Sequence, residues 1–63
     1  MNYIIFKVTI GKFLKDVKYE ILAQLEIEGN QKYAILNPDS PRNKNQCTTV
    51  EINNKNIKEV KFY

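Results

Sequence analysis

The sequence predicts an all-β fold, a five-stranded meander curling into an SH3-like, partly closed barrel. Three observations carry that prediction. β-branched residues are abundant, with eight Ile, four Val and three Thr against two Ala, a bias that favours strands. Apolar residues fall at alternate positions over several short stretches. Turn-forming pairs such as Gly11-Lys12, Lys15-Asp16 and Gly29-Asn30 separate those stretches at hairpin distance. Closure is expected because an open five-stranded sheet of this size would leave two unpaired edges and an uncovered apolar face.

The first strand is read over residues 2–10. Ile4, Phe6, Val8 and Ile10 share one face, and Tyr3, Ile5, Lys7 and Thr9 share the other. The second spans residues 17–28, where the odd positions Val17, Tyr19, Ile21, Ala23, Leu25 and Ile27 are all apolar and Leu22 alone breaks the even, polar set. A strand this long is expected to bend or bulge near Leu22 or Ala23 and to serve two sheet faces. The alternative is an α+β fold in which residues 13–28 form a helix packed on a β-sheet, with Leu14, Val17, Ile21 and Leu25 as its stripe and Gly29 as its terminator. That reading leaves Tyr19 and Ile27 on the polar side.

Gly29-Asn30 suits a tight hairpin, since both residues tolerate positive φ. A third strand over residues 31–37 carries Tyr33 and Ile35 on one face and Ala34 and Leu36 on the other, the pattern of a strand covered on both sides. Residues 37–46 form the one sizeable loop. The fourth strand, residues 47–53, directs Thr48, Val50 and Ile52 to one side. Asn53-Asn54-Lys55-Asn56 is a turn, and residues 57–63 form the last strand with Val60 and Phe62 inward. Ile57 is out of phase with Val60, so a short 3₁₀ turn is expected before it. The stretch Thr49-Val50-Glu51-Ile52-Asn53-Asn54-Lys55-Asn56-Ile57-Lys58-Glu59-Val60 resembles the closing hairpin of Sm-like proteins, which implies a strand, tight turn and strand ending the fold. It lacks the Arg-Gly pair of the Sm motif, and the loop before it lacks the Asp-Met-Asn signature.

With 63 residues, one Cys, no His and a formal charge of +3, the chain forms a single small domain, residues 1–63, with little room for an enclosed cavity. A domain of this length buries only about 60% of the surface its unfolded chain exposes. A lone Cys47 closes no internal disulfide, and one Cys without His cannot fill a structural zinc site. Cys47 itself reads as a small buried thiol. Stability is therefore expected from packing, from homo-oligomerisation or from a partner. The run Tyr3–Phe6 is cut short by Lys7, well below the roughly 20 residues that span a bilayer. A cytoplasmic location without a membrane partner is the expectation.

Catalysis is the class the composition disfavours most. There is no His for general acid–base work, Ser40 has no evident base beside it, and two isolated Gly do not make a phosphate loop. No enzymatic activity, cofactor or metal is expected. Charge is segregated along the chain. Residues 1–18 hold four Lys against Asp16, residues 19–36 hold three Glu against Lys32, and residues 37–63 hold five basic against three acidic residues.

Two surfaces are candidates. Barrel closure brings the first and last strands together, so Tyr3, Ile5, Lys7, Lys61 and Tyr63 are expected on one exposed patch. There, Tyr3 and Ile5 would anchor a protein partner, or Tyr3 and Tyr63 would stack on bases while Lys7 and Lys61 meet phosphates. Arg42 and Lys44 form a candidate binding loop between Pro41 and the fourth strand. The leading expectation is a small non-enzymatic binding module acting through protein–protein contacts, of the kind phage and mobile elements use to modulate or inhibit a larger host protein. The alternative is a single-stranded nucleic-acid-binding small barrel.

Overall fold

The computed structural model describes residues 1–39 and 46–63. Five strands follow in chain order: β1 (Tyr3–Phe6), β2 (Tyr19–Ile27), β3 (Asn30–Leu36), β4 (Cys47–Glu51) and β5 (Ile57–Lys61). They form one antiparallel sheet in the order β4-β3-β2-β1-β5, and no helix occurs among the described residues. β4 and β5 do not pair, so the barrel is not fully closed. The helical alternative for residues 13–28 is overturned. Tyr19 and Ile21 are both buried beside Ile4, Phe6 and Ile35, a same-side placement that strand spacing provides and the helical stripe, with Tyr19 on its polar side, does not.

The interior is small. Phe6, Ile4 and Ile35 are fully buried, Phe13, Tyr19 and Ile21 complete the cluster, and Ile10, Tyr33, Val50, Ile57 and Val60 pack against it. Phe13 comes from the loop between β1 and β2, where it bridges Ile10 and meets the Tyr19 ring edge-on at 5.0 Å and the Phe6 ring at 5.8 Å. The Tyr19 hydroxyl is also satisfied, accepting from the Leu14 amide at 2.6 Å. β1 ends at Phe6, shorter than expected, and Val8 is exposed instead of continuing the buried face. The chain leaves the β1–β2 ladder after Phe6, and Lys7 donates its amide to Asn56 across the β5 side.

The expected irregularity in the long second strand is present. Ile21 pairs with Ile35, but Ala23 pairs with Ala34, so the register shifts at Leu22. One extra residue in a period-two strand moves every later side chain to the other face. Tyr19 and Ile21 point into the core before the bulge; after it Gln24 lies opposite Tyr33 on the core side, and Ala23, Leu25 and Ile27 fall on the outside. The expectation that all the odd positions of this segment share one buried face is corrected accordingly.

β2 and β3 join through Glu28 and Gly29, at φ 51° and 82°, with Ile27 opposite Asn30. Two successive positive φ values in a two-residue loop match the right-handed twist of the strands it connects. The turn sits one residue earlier than Gly29-Asn30. Between β4 and β5 the amide of Asn54 donates to Glu51 and that of Ile57 to Asn54, tight i to i+3 turns of the kind expected there. The phase is reset inside β5 instead of before it: Ile5 pairs with Glu59 but Phe6 with Ile57, so Lys58 is an extra residue and Ile57 and Val60 both pack on the core. Phe62, just beyond β5, leans on Tyr33 of β3 with ring centroids 5.8 Å apart. This contact spans the side on which β4 and β5 fail to pair. No helix of the described residues is long and apolar enough to cross a membrane.

Candidate functional site

Three of the residues expected on one patch meet around Tyr3. In the β1–β5 register Tyr3 lies opposite Lys61 and Ile5 opposite Glu59. The Tyr63 ring stands 6.4 Å from the Tyr3 ring, and the Lys61 ammonium lies 5.5 Å from the Tyr63 centroid. Asn2 holds the chain end in place by accepting from the Tyr63 amide at 2.8 Å. Ile5 is half-buried on the same outer face.

Tyr3 differs from expectation. It is only 7% exposed, because the Lys18 ammonium covers its ring at 4.6 Å and Tyr63 flanks it. Its hydroxyl donates to a Glu59 carboxylate oxygen. That bond, burial and the Glu59 charge favour the neutral phenol and push its pKa up to about 12. Tyr3 is thus a structural anchor between β1 and β5, with no open ring face for a base. Tyr63, 78% exposed, is the one open aromatic of the pair. Lys7 stands exposed past the end of β1, with its amide donating to Asn56 at 2.7 Å. Sequence spacing reveals neither the cover nor the tie, since Lys18, Glu59 and Tyr63 reach Tyr3 only through strand pairing.

The second candidate, Arg42 and Lys44, lies outside the described residues. Cys47, expected to be buried, is exposed. It opens β4 opposite Leu36, on the outer face with Thr49 and Glu51.

A surface that strand patterning did not find lies on the β2–β3 hairpin. The Leu22 bulge sends Ala23, Leu25 and Ile27 outward, and Leu22, Leu25 and Ile27 are each 39% exposed. Across the strands, Ala23 adjoins Ala34 and then Thr49, while Leu25 adjoins Lys32 and then Glu51. The core-side face of the same hairpin is polar. There Gln24 donates to Gln31 at 3.4 Å and Gln31 to Glu26 at 2.9 Å. This inverts the usual arrangement, because the end of the hairpin extends past the interior that β1 and β5 cover. The signal in the sequence was Leu22, the lone exception to the alternation.

The loop between β1 and β2 is fixed at several points. Asp16 donates its amide to Phe6 at 3.0 Å and pairs through its carboxylate with Lys58 of β5 at 2.8 Å. Lys12 pairs with Asp39 at 3.1 Å. The hydrogen bond from Lys58 and its charge hold the Asp16 carboxyl below the usual carboxylate range, and the same partner raises Lys58. Among the described residues, no group of three His, Cys, Asp or Glu is arranged to hold a metal ion. Against protein-family models, curated proteins and solved structures alike, the chain gives no match.

Proposed function

We propose that this chain is a small non-enzymatic binding module that acts through protein–protein contacts, with the outward row Ala23, Leu25 and Ile27 as its contact surface. The observation that carries this reading is the bulge at Leu22, which commits apolar side chains to an outer face while the polar ladder Gln24–Gln31–Glu26 takes the core side. Apolar side chains turned outward beside charged Lys32 and Glu51 have the form of a contact core with a polar rim. The expected partner is a larger cytoplasmic protein of the host cell, which a phage- or mobile-element-borne module would modulate or inhibit. The covered ring of Tyr3 weighs against the single-stranded nucleic-acid reading, which keeps Tyr63 as the open ring of that pair.

Affinity capture from the native cell, with and without nuclease, tests this. The intact chain should retain a protein partner after nuclease treatment, and a Leu25→Thr/Ile27→Thr variant with an unchanged circular dichroism spectrum should lose it. Threonine keeps the strand preference while removing the apolar contact. Capture that vanishes with nuclease, or that survives the double substitution, overturns the reading. Binding of oligonucleotides at low salt that weakens steeply as salt rises would restore the alternative.

A further inference from the structure

The two edges of the sheet differ in how they are guarded. β5 carries Lys58, Glu59 and Lys61 in five residues, whereas β4, Cys47-Thr48-Thr49-Val50-Glu51, carries one charge and no Lys or Pro. Charge and Pro on an edge are the usual deterrents to pairing with another chain, and β4 lacks all but Glu51. The direction of its outward backbone groups follows from the register. Asn37 donates to Gln46 at 2.9 Å and Ile52 to Gln31 at 3.2 Å, flanking the β3–β4 ladder at its two ends. Hydrogen-bonded and non-bonded pairs alternate in an antiparallel ladder. Thr48 and Val50 therefore turn their amide and carbonyl groups to β3, while Cys47, Thr49 and Glu51 turn theirs to the far edge, where no strand among the described residues pairs with β4.

We propose that β4 is a self-pairing edge, joining a second copy of this chain antiparallel about a two-fold axis at Thr49. In that register Thr49 meets Thr49 of the second copy, and Cys47 of each chain meets Glu51 of the other. The three residues whose backbone groups face outward are the three that the register places in hydrogen-bonded pairs, so the second copy supplies partners for five outward groups per edge, the Glu51 carbonyl already accepting from the Asn54 amide at 3.1 Å. Side-chain chemistry agrees with the backbone. Thr pairs on the axis, Thr48 lies against Val50 on the core side, and both are favourable cross-strand neighbours. The two Glu51 carboxylates end about 14 Å apart, four residues at about 3.4 Å each, which exceeds the roughly 8 Å screening length of physiological salt. The same spacing keeps the two Cys47 thiols too far apart to bridge. Self-pairing of β5 in the same manner, about its central residue, would set Glu59 against Glu59. This contact uses the edge of β4 and leaves the outward row of β2 free, so it stands apart from the partner surface proposed above.

The test is the mass of the chain in solution and a position-specific cross-link. Sedimentation equilibrium from about 10 µM to about 1 mM should show a shift from 7.4 kDa toward twice that mass, since an interface this short belongs to the weak class. Thr49→Lys, which puts like charges on the axis, should hold the chain monomeric at every concentration. Glu51→Cys sets a thiol opposite Cys47 of the second copy, at the Cα separation of about 5.5 Å that a disulfide accepts. Mild oxidation should then give a covalent dimer in that variant, none in the unsubstituted chain, and none when Cys47→Ser is added. A chain that stays monomeric and gives no cross-link overturns the proposal, as does a dimer that Thr49→Lys leaves intact.

Discussion

Glu28 occupies a conformation that its side chain disfavours. Its φ of 51° lies in the left-handed region, where Asn and Gly are at ease and Glu is not, and Gly29 follows at 82°. The Asn-Gly pair is the preferred sequence for this turn, so Glu28→Asn should stabilise the fold by about 0.5–1 kcal/mol, read as a higher urea midpoint with unchanged slope. Tyr3 supplies a second prediction. Its phenol stays protonated in the fold because it donates to Glu59. The stabilisation is therefore complete below the unfolded value of about 10 and is lost as pH rises through about 12. The thermal midpoint of the unsubstituted chain should fall more between these limits than that of Tyr3→Phe, which has no proton to lose there. Burial of Tyr3 was not legible in the sequence, where alternation placed it outside. Its cover is supplied by Lys18 and Tyr63 from other strands' ends, and Glu59 fixes its hydroxyl.

At the scale of elements, the loop between β1 and β2 is where local sequence and tertiary pairing meet. Phe13 enters the core from it, and Asp16 pins it twice, to Phe6 through the backbone and to Lys58 through the side chain. The lowered Asp16 carboxyl contributes stability fully above its unfolded value of about 3.9, and the contribution disappears as pH falls through its folded value. Lys58 is raised, so its share is complete below about 10.4 and is lost only above that. The pair is exposed, and its effect is small. Acidification from about pH 5 to about pH 2.5 should lower the urea midpoint of the unsubstituted chain more than that of Lys58→Met, because only the former has the pair to lose. The five strands and the break at Leu22 were legible because they follow from alternation and from Gly, Asn and Asp at the turns, and the pairing of the first and last strands follows from the expected closure; the closing hairpin of the last two strands is not formed, since β4 and β5 stand at opposite edges. The consequence of the break was not legible. Alternation counted by odd and even number sends Ala23, Leu25 and Ile27 inward, and one unpaired residue reverses that for the rest of the strand. The exposed apolar row is thus a product of pairing, visible only once Ile21 and Ala23 are assigned partners.

Across the whole molecule, stability rests on a small interior with three fully buried side chains, Phe6, Ile4 and Ile35, in a chain whose length leaves little margin. Cutting one of these to Ala would cost about 3–5 kcal/mol for Phe6, comparable to the entire stability expected of such a domain, and that variant should show an unfolded circular dichroism spectrum. Closure of the barrel is a finer matter. β4 and β5 leave the sheet open between them, and the contact that spans this side is Phe62 on Tyr33, from beyond β5 to the middle of β3. Phe62 is half exposed, so simple burial gives it less than a core residue would contribute. If the ring pair closes the barrel, the two side chains must be coupled. A double-mutant cycle of Tyr33→Ala and Phe62→Ala should give a coupling energy of about 0.5–1.5 kcal/mol. Tyr33→Ala alone should cost more than Phe62→Ala, because Tyr33 also packs on the core cluster while Phe62 does not. Additive effects would mean that Phe62 merely rests on the surface, and that the interior is held by β1, β2 and β3 without closure at the far side.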